Sequence, residues 1–185
     1  DFFGLKNDII LCAAYCAPSG STYLGRHQID PYDDLEQKLS VLSNEGSFLV
    51  MADMNARCQS REEYIDSDDD NRLSELSFLS ELYQGDDTAN FPRIYIDTGF
   101  NTYGERLISL CRTVNLRFLN GKKVGDLLGF PTCFTPNGFS TVDYGLSSPA
   151  IFNQIDSFKV DIHNLALSDH ATISVCLKVN NVIEN

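Results

Sequence analysis

A chain of 185 residues, 43% of them apolar, can bury one hydrophobic core, and its length corresponds to one domain or most of one. With 26 acidic against 14 basic residues the net charge is −12, which argues against a surface that binds nucleic acid through Lys and Arg alone. Any work on phosphate must therefore draw on local basic groups or metal ions, and no apolar run approaches the ~18 residues that span a membrane.

Residues 8–16, DIILCAAYC, form a continuous apolar run that ends at APSGS. They predict a strand buried on both faces, followed by a turn. Segment 33–46 places Leu35, Leu39 and Leu42 at helical spacing, with acids at its start and Gly46 at its end, and predicts a helix. Residues 47–53, SFLVMAD, are a second buried strand, so strand, helix and strand follow in the order of an α/β unit. The stretch 60–71, SREEYIDSDDDN, reads as a solvated acidic loop. Its DSDDDN resembles the start of a calcium loop, but the sixth position is Asn71 rather than Gly and the twelfth is Ser77 rather than Glu. Leu73, Leu76, Leu79 and Leu82 recur every third residue and predict a helix over 72–85.

Residues 84–101 have no clear period. Leu107, Cys111 and Val114 predict a helix over 104–115, and LRFLNG at 116–121 a short strand. In 132–148, TCFTPNGFSTVDYGLSS, two short strands flank Asn137-Gly138, a dipeptide suited to a tight reversal. SFKVDI at 157–162 is a further strand. The last, 171–179, alternates: Ala171, Ile173, Val175, Leu177 and Val179 face one way, Thr172, Ser174, Cys176 and Lys178 the other. Alternating strands and helices, then mostly strands, fit two packed sheets with helices outside. The six cysteines, Cys12, Cys16, Cys58, Cys111, Cys133 and Cys176, include no C-x-x-C pair, and the chain has no N-x-[ST] sequon. Free thiols, mostly buried, in a reducing compartment are expected.

Four stretches set a polar group at the end of an apolar strand or within one. They are AAYCAPSG with Tyr15, MADMNAR with Asp53 and Asn55, STVDYGL with Asp143, and LSDHATI with Asp169 and His170. In STVDYGL, Val142, Tyr144 and Leu146 share one face, while Asp143 points to the other beside Thr141 and Gly145. An ionised carboxylate buried there requires a His, an Arg or a metal as partner, and His170 is a candidate. Asp53 and Asn55 share a parity, so an extended backbone continued to Asn55 would aim both into one pocket. Each stretch alone has an ordinary alternative: a turn aspartate, a capping serine, a rim tyrosine. All four in order point to one site.

In that order, Y-x-x-P, D-M-N, V-D-Y and S-D-H resemble the endonuclease/exonuclease/phosphatase superfamily, which has the DNase I-like fold. Ala52-Asp53-Met54-Asn55 stands where that family carries G-D-x-N. The wider wording, NTYGERLISLCRTVNLRFLNGK and PTCFTPNGFSTVDYGLSS, is similar to the endonuclease domains of non-LTR (LINE-type) retrotransposons. The resemblance implies an α/β (α+β) fold over residues 1–185: a four-layer α/β/β/α sandwich lacking its N-terminal strands. It implies a Mg2+- or Mn2+-dependent phosphodiester hydrolase that nicks DNA, in an intracellular, nuclear setting, with a reverse transcriptase domain downstream in the parent chain.

Roles follow from the resemblance. Tyr15 would contact the scissile phosphate or orient the nucleophile, Asp53 would position and deprotonate the attacking water, and Asn55 would hold that water or a phosphate oxygen. Asp143 would orient His170, His170 would stabilise phosphoryl charge, and Asp169 would ligate the metal. The family's early asparagine and metal-binding glutamate precede the AAY strand, whereas this chain starts at that strand, with Asp1 rather than methionine. A fragment of a longer domain is therefore expected, inactive or weak alone, with an exposed apolar sheet edge. A phosphatase or phospholipid phosphodiesterase of the same fold, and a non-catalytic remnant that binds a partner, are the alternatives.

Overall fold

A computed structural model describes residues 8–64, 92–164 and 166–178. Strand β1 (Asp8–Tyr15) runs parallel to β2 (Gly46–Asp53), joined by helices α1 (Thr22–His27) and α2 (Pro31–Leu42). Helix α1 lacks the apolar periodicity of a core helix and none of its residues is buried, which is why the sequence reads there only as a turn. Helix α2 starts two residues before the predicted segment because Asp30 caps it, accepting from the N–H groups of Tyr32 and Asp33, and Pro31 pre-sets its first turn. It ends at Leu42, and Gly46 opens β2 instead. A Cβ at Gly46 would collide with the carbonyl of Asp8, its register partner on β1.

The main sheet has the order β1-β2-β6-β3, with β3 at Arg117–Phe118 and β6 at Asp143–Ser147, the last pairing antiparallel with both its neighbours. Helix α3 (Thr102–Thr113) lies beside α2 on one face. There Tyr32, Leu35, Leu39, Leu107 and Cys111 bury Phe48, Val50, Tyr144 and Leu146. The other face meets the hairpin of β7 (Ile155–Val160) and β8 (Ile173–Leu177). Leu49, Leu119, Ile155 and Phe158 form that interface, together with Ile151 and Phe152 of α4 (Pro149–Phe152). Ile173, Val175 and Leu177 pack inward as the alternation predicts, and Cys176 is exposed. A small hairpin, β4 (Cys133–Thr135) and β5 (Gly138–Ser140), reverses at Asn137-Gly138. These elements supply helix, sheet and sheet layers of an α/β/β/α sandwich.

Two expectations fail. Strand β1 is not buried on both faces: it lies at the end of the sheet, and Leu11 is 73% exposed. Among the described residues it pairs only with β2. A continuous apolar run carries no information about which strand takes the edge. The acidic stretch is not solvated throughout either: Ser60 and Arg61 are exposed, but the chain turns inward after them. Glu63 is fully buried, accepting from Lys122 Nζ at 2.7 Å and from the Phe118 N–H at 3.0 Å, and Tyr64 is buried beside it. The chain after β3 supplies the lysine that makes this burial tolerable. Residues 65–71 and the predicted helix over 72–85 lie outside the described residues, as does Val179. All six cysteines are free, with Cys16, Cys58 and Cys111 buried. Among the described residues no helix is long and apolar enough to cross a membrane.

Candidate active site

Pairing register brings three of the singled-out residues into one row. Tyr15 ends β1 opposite Asp53, which ends β2 opposite Asp143, which begins β6. The row crosses one end of the main sheet. Tyr15 is 67% exposed, Asp53 half-buried and Asp143 buried.

Asn55 joins the row by a different route from the one its parity suggests. The strand stops at Asp53, and Asn55 adopts the left-handed conformation, φ 46°. Its N–H donates to Asp53 Oδ1 at 2.9 Å, closing a tight turn over the carboxylate. Its Nδ2 donates to the Cys16 carbonyl at 2.9 Å and reaches Asp53 Oδ2 at 3.4 Å. Asn55 thus braces Asp53 and ties the ends of β1 and β2 together.

His170 reaches the row from the segment that leads into β8. Its Nδ1 lies 2.8 Å from Asp143 Oδ2 across 27 residues of sequence. The segment around it is docked on β4: the Phe134 N–H donates to the Asp169 carbonyl and the Ala171 N–H to the Thr132 carbonyl, each at 2.8 Å. Thr132 also turns its Oγ1 to the N–H groups of Val142 and Asp143, at 3.0 and 2.9 Å. Asn120 clamps the next stretch of β6, donating to the Asp143 carbonyl and accepting from the Gly145 N–H. Burial works against a charge on His170. The hydrogen bond to Asp143, with the charges of Asp143, Asp53 and Asp169, outweighs it and raises the imidazole above its usual 6.5. At Asp53 burial pushes the carboxyl up, the Asn55 N–H pulls it down, and Asp143 pushes it up again, with a net rise.

The supporting residues were not legible as site residues. Asn101 accepts from Gly104 N–H at 2.7 Å as the cap of α3 and from Arg57 N–H at 2.9 Å, while its Nδ2 donates to the Asn55 carbonyl at 3.0 Å. Its place just before a helical pattern was a cap signal, but nothing in the sequence linked it to Asn55. Asp97 holds Arg57 through a two-pronged ion pair and accepts from the Thr141 N–H at 3.0 Å. These bonds hold its carboxyl low against the upward push of burial.

Ligand atoms of Asp53, Asp143 and His170 all lie within 4.8 Å of one another, and so do those of Cys133, Asp169 and His170. Two hard carboxylates beside an imidazole suit a divalent cation. Burial first, and the Asp143 charge after it, raise the Asp53 carboxyl, and a cation there would favour its ionised form. Asp169, the expected metal ligand, is exposed and groups with Cys133 and His170 rather than with Asp53 and Asp143.

No family model matches the sequence. No curated protein matches it either. Solved structures do. The 3'-5' exonuclease NExo from Neisseria meningitidis aligns with a TM-score of 0.52 at 15% identity, over 91% of this chain and 60% of that one. A 3' phosphatase form of NExo from Neisseria, bound to a product DNA hairpin, aligns with a TM-score of 0.55 at 15% identity, over 92% and 60%. The endonuclease domain of TRAS1, a telomere-specific non-LTR retrotransposon, aligns at 0.48 and 15% over 89% and 55%, too weakly for an argument. The chain spans about 60% of the length of each NExo structure. At this identity the likeness establishes architecture: the chain has the DNase I-like α/β fold.

Proposed function

We propose that the chain carries the core of a metal-dependent phosphodiester hydrolase that nicks DNA, as the endonuclease part of a retrotransposon protein. The observation that carries the reading is the Asp143–His170 hydrogen bond of 2.8 Å at the end of the Tyr15–Asp53–Asp143 row. An imidazole whose protonated form a buried carboxylate favours is placed to neutralise charge on a phosphoryl group. Asp53, desolvated and braced by Asn55, positions and deprotonates the attacking water. Tyr15, exposed beside it, contacts the phosphate. Asp53, Asp143 and Asp169 are the carboxylates available to hold Mg2+ or Mn2+, which would stabilise the phosphate charge and offset repulsion between an acidic protein and DNA. The retrotransposon assignment, with DNA as partner and a reverse transcriptase domain in the parent chain, rests on the resemblance of the 101–148 wording.

Nicking of supercoiled plasmid in Mg2+ tests the reading. In the active form, Asp53→Ala and His170→Ala should each reduce nicking by at least ~100-fold. Nicking unchanged in both variants would overturn the site. The NExo structures favour one second reading, removal of a nucleotide or phosphate from DNA 3' ends. Release from a 3'-phosphorylated duplex without plasmid nicking would select it.

A further inference from the structure

We propose that Cys133, Asp169 and His170 form a binding site for a thiophilic divalent cation, Zn2+ above all, on the rim of the candidate active site. The three donor atoms lie within 4.8 Å of one another. They are also held on paired backbone. Cys133 and His170 face each other across an antiparallel bridge, which the Phe134-to-Asp169 and Ala171-to-Thr132 hydrogen bonds bracket. Cross-strand neighbours of this kind direct their side chains to one face, so the donors converge without a loop having to close. One sulfur, one nitrogen and one oxygen donor suit borderline-soft Zn2+ and not Mg2+, and three protein ligands leave a fourth position for water or a phosphate oxygen. With Nδ1 bonded to Asp143, Nε2 is the nitrogen left to ligate. A carboxylate fixing the far side of a ligating imidazole is the usual support of such sites. As the metal–sulfur bond forms, the Cys133 thiol gives its proton to solvent.

The consequence rests on the hydrolase reading. His170 and Asp169 belong to both constellations, so an ion held by Cys133 withdraws them from the phosphate, and Zn2+ inhibits where Mg2+ supports.

Co2+ is the spectroscopic probe. The 185-residue chain should develop a thiolate-to-metal charge-transfer band and intense visible bands of a four-coordinate ion, saturating at a single equivalent. Cys133→Ser should abolish the charge-transfer band and Asp169→Asn should weaken binding at least ~10-fold, while Cys12→Ser and Cys176→Ser retain both. A charge-transfer band that survives in Cys133→Ser, or is absent from the unmodified chain, would overturn the site. A second measurement needs no variant: Zn2+ should slow alkylation of Cys133 several-fold and leave exposed Cys176 unchanged. Equal rates with and without Zn2+ at Cys133 would also overturn it. Neither readout depends on hydrolysis, so failure of the metal site and failure of the hydrolase reading are separately visible.

Discussion

At the scale of single residues, the contrast between Asp143 and Asn55 is instructive. The parity of STVDYGL placed Asp143 opposite Tyr144 and Leu146, which do pack under the helices, and a buried carboxylate had to find a partner. His170 is that partner. Asn55 defeated the same parity argument, because its left-handed backbone breaks the strand period and no pattern in the sequence announces it. The coupling of Asp143 to His170 predicts a pH dependence. The folded-state pKa of His170 is raised, so the pair's contribution to stability is full below about 6.5 and is lost as pH rises through the folded value. In Asp143→Asn the burial remains while the hydrogen bond to a charge goes, so the His170 titration followed by NMR should move to lower pH. Nicking by the active form should fall at least ~100-fold. An unmoved titration would mean that Asp143 does not set the histidine's charge.

Among the elements, helices with a clean apolar stripe were legible, and their caps, Asp30 and Asn101, were not. Leu35 and Leu39 of α2, and Leu107 and Cys111 of α3, bury as their spacing predicts. The cap of α3 does more than end a helix. Asn101→Ala should destabilise the fold by about 1–2 kcal/mol in urea unfolding, as capping residues do, and more if the Asn55 turn loosens. Asn101→Asp keeps the acceptor for Gly104 and Arg57 but loses the donor to the Asn55 carbonyl. It should recover most of the stability and little of the nicking; equal recovery of both would reduce Asn101 to a cap. Burial of β1 was not legible, since an edge strand and a central strand can share one apolar run. Leu11 on that edge is an aggregation liability. Leu11→Lys should lower self-association in light scattering and change stability by less than about 0.5 kcal/mol.

For the molecule as a whole, the segment leading into β8 must dock closely enough on the main sheet for His170 to reach Asp143. Gly145 permits this. A Cβ there would sit 2.6 Å from Phe158 Cε2 and 3.0 Å from Leu119 Cδ1, inside the inter-sheet core. Gly145→Ala should therefore cost about 1–3 kcal/mol of stability by overpacking and push the second sheet outward. The Asp143–His170 bond would lengthen and the His170 pKa would fall; a stability loss with an unchanged His170 titration would show that the sheets relax without moving the site. The sequence by itself determined most strands, the two long helices and the chemical character of the candidate site, because apolar period and residue type are local properties. Only the tertiary structure decided the register that aligns Tyr15, Asp53 and Asp143, the burial of Glu63 against Lys122 and the reach of His170. Each of these joins residues distant in sequence, and their energies come from pairing and desolvation that exist only once the layers have packed.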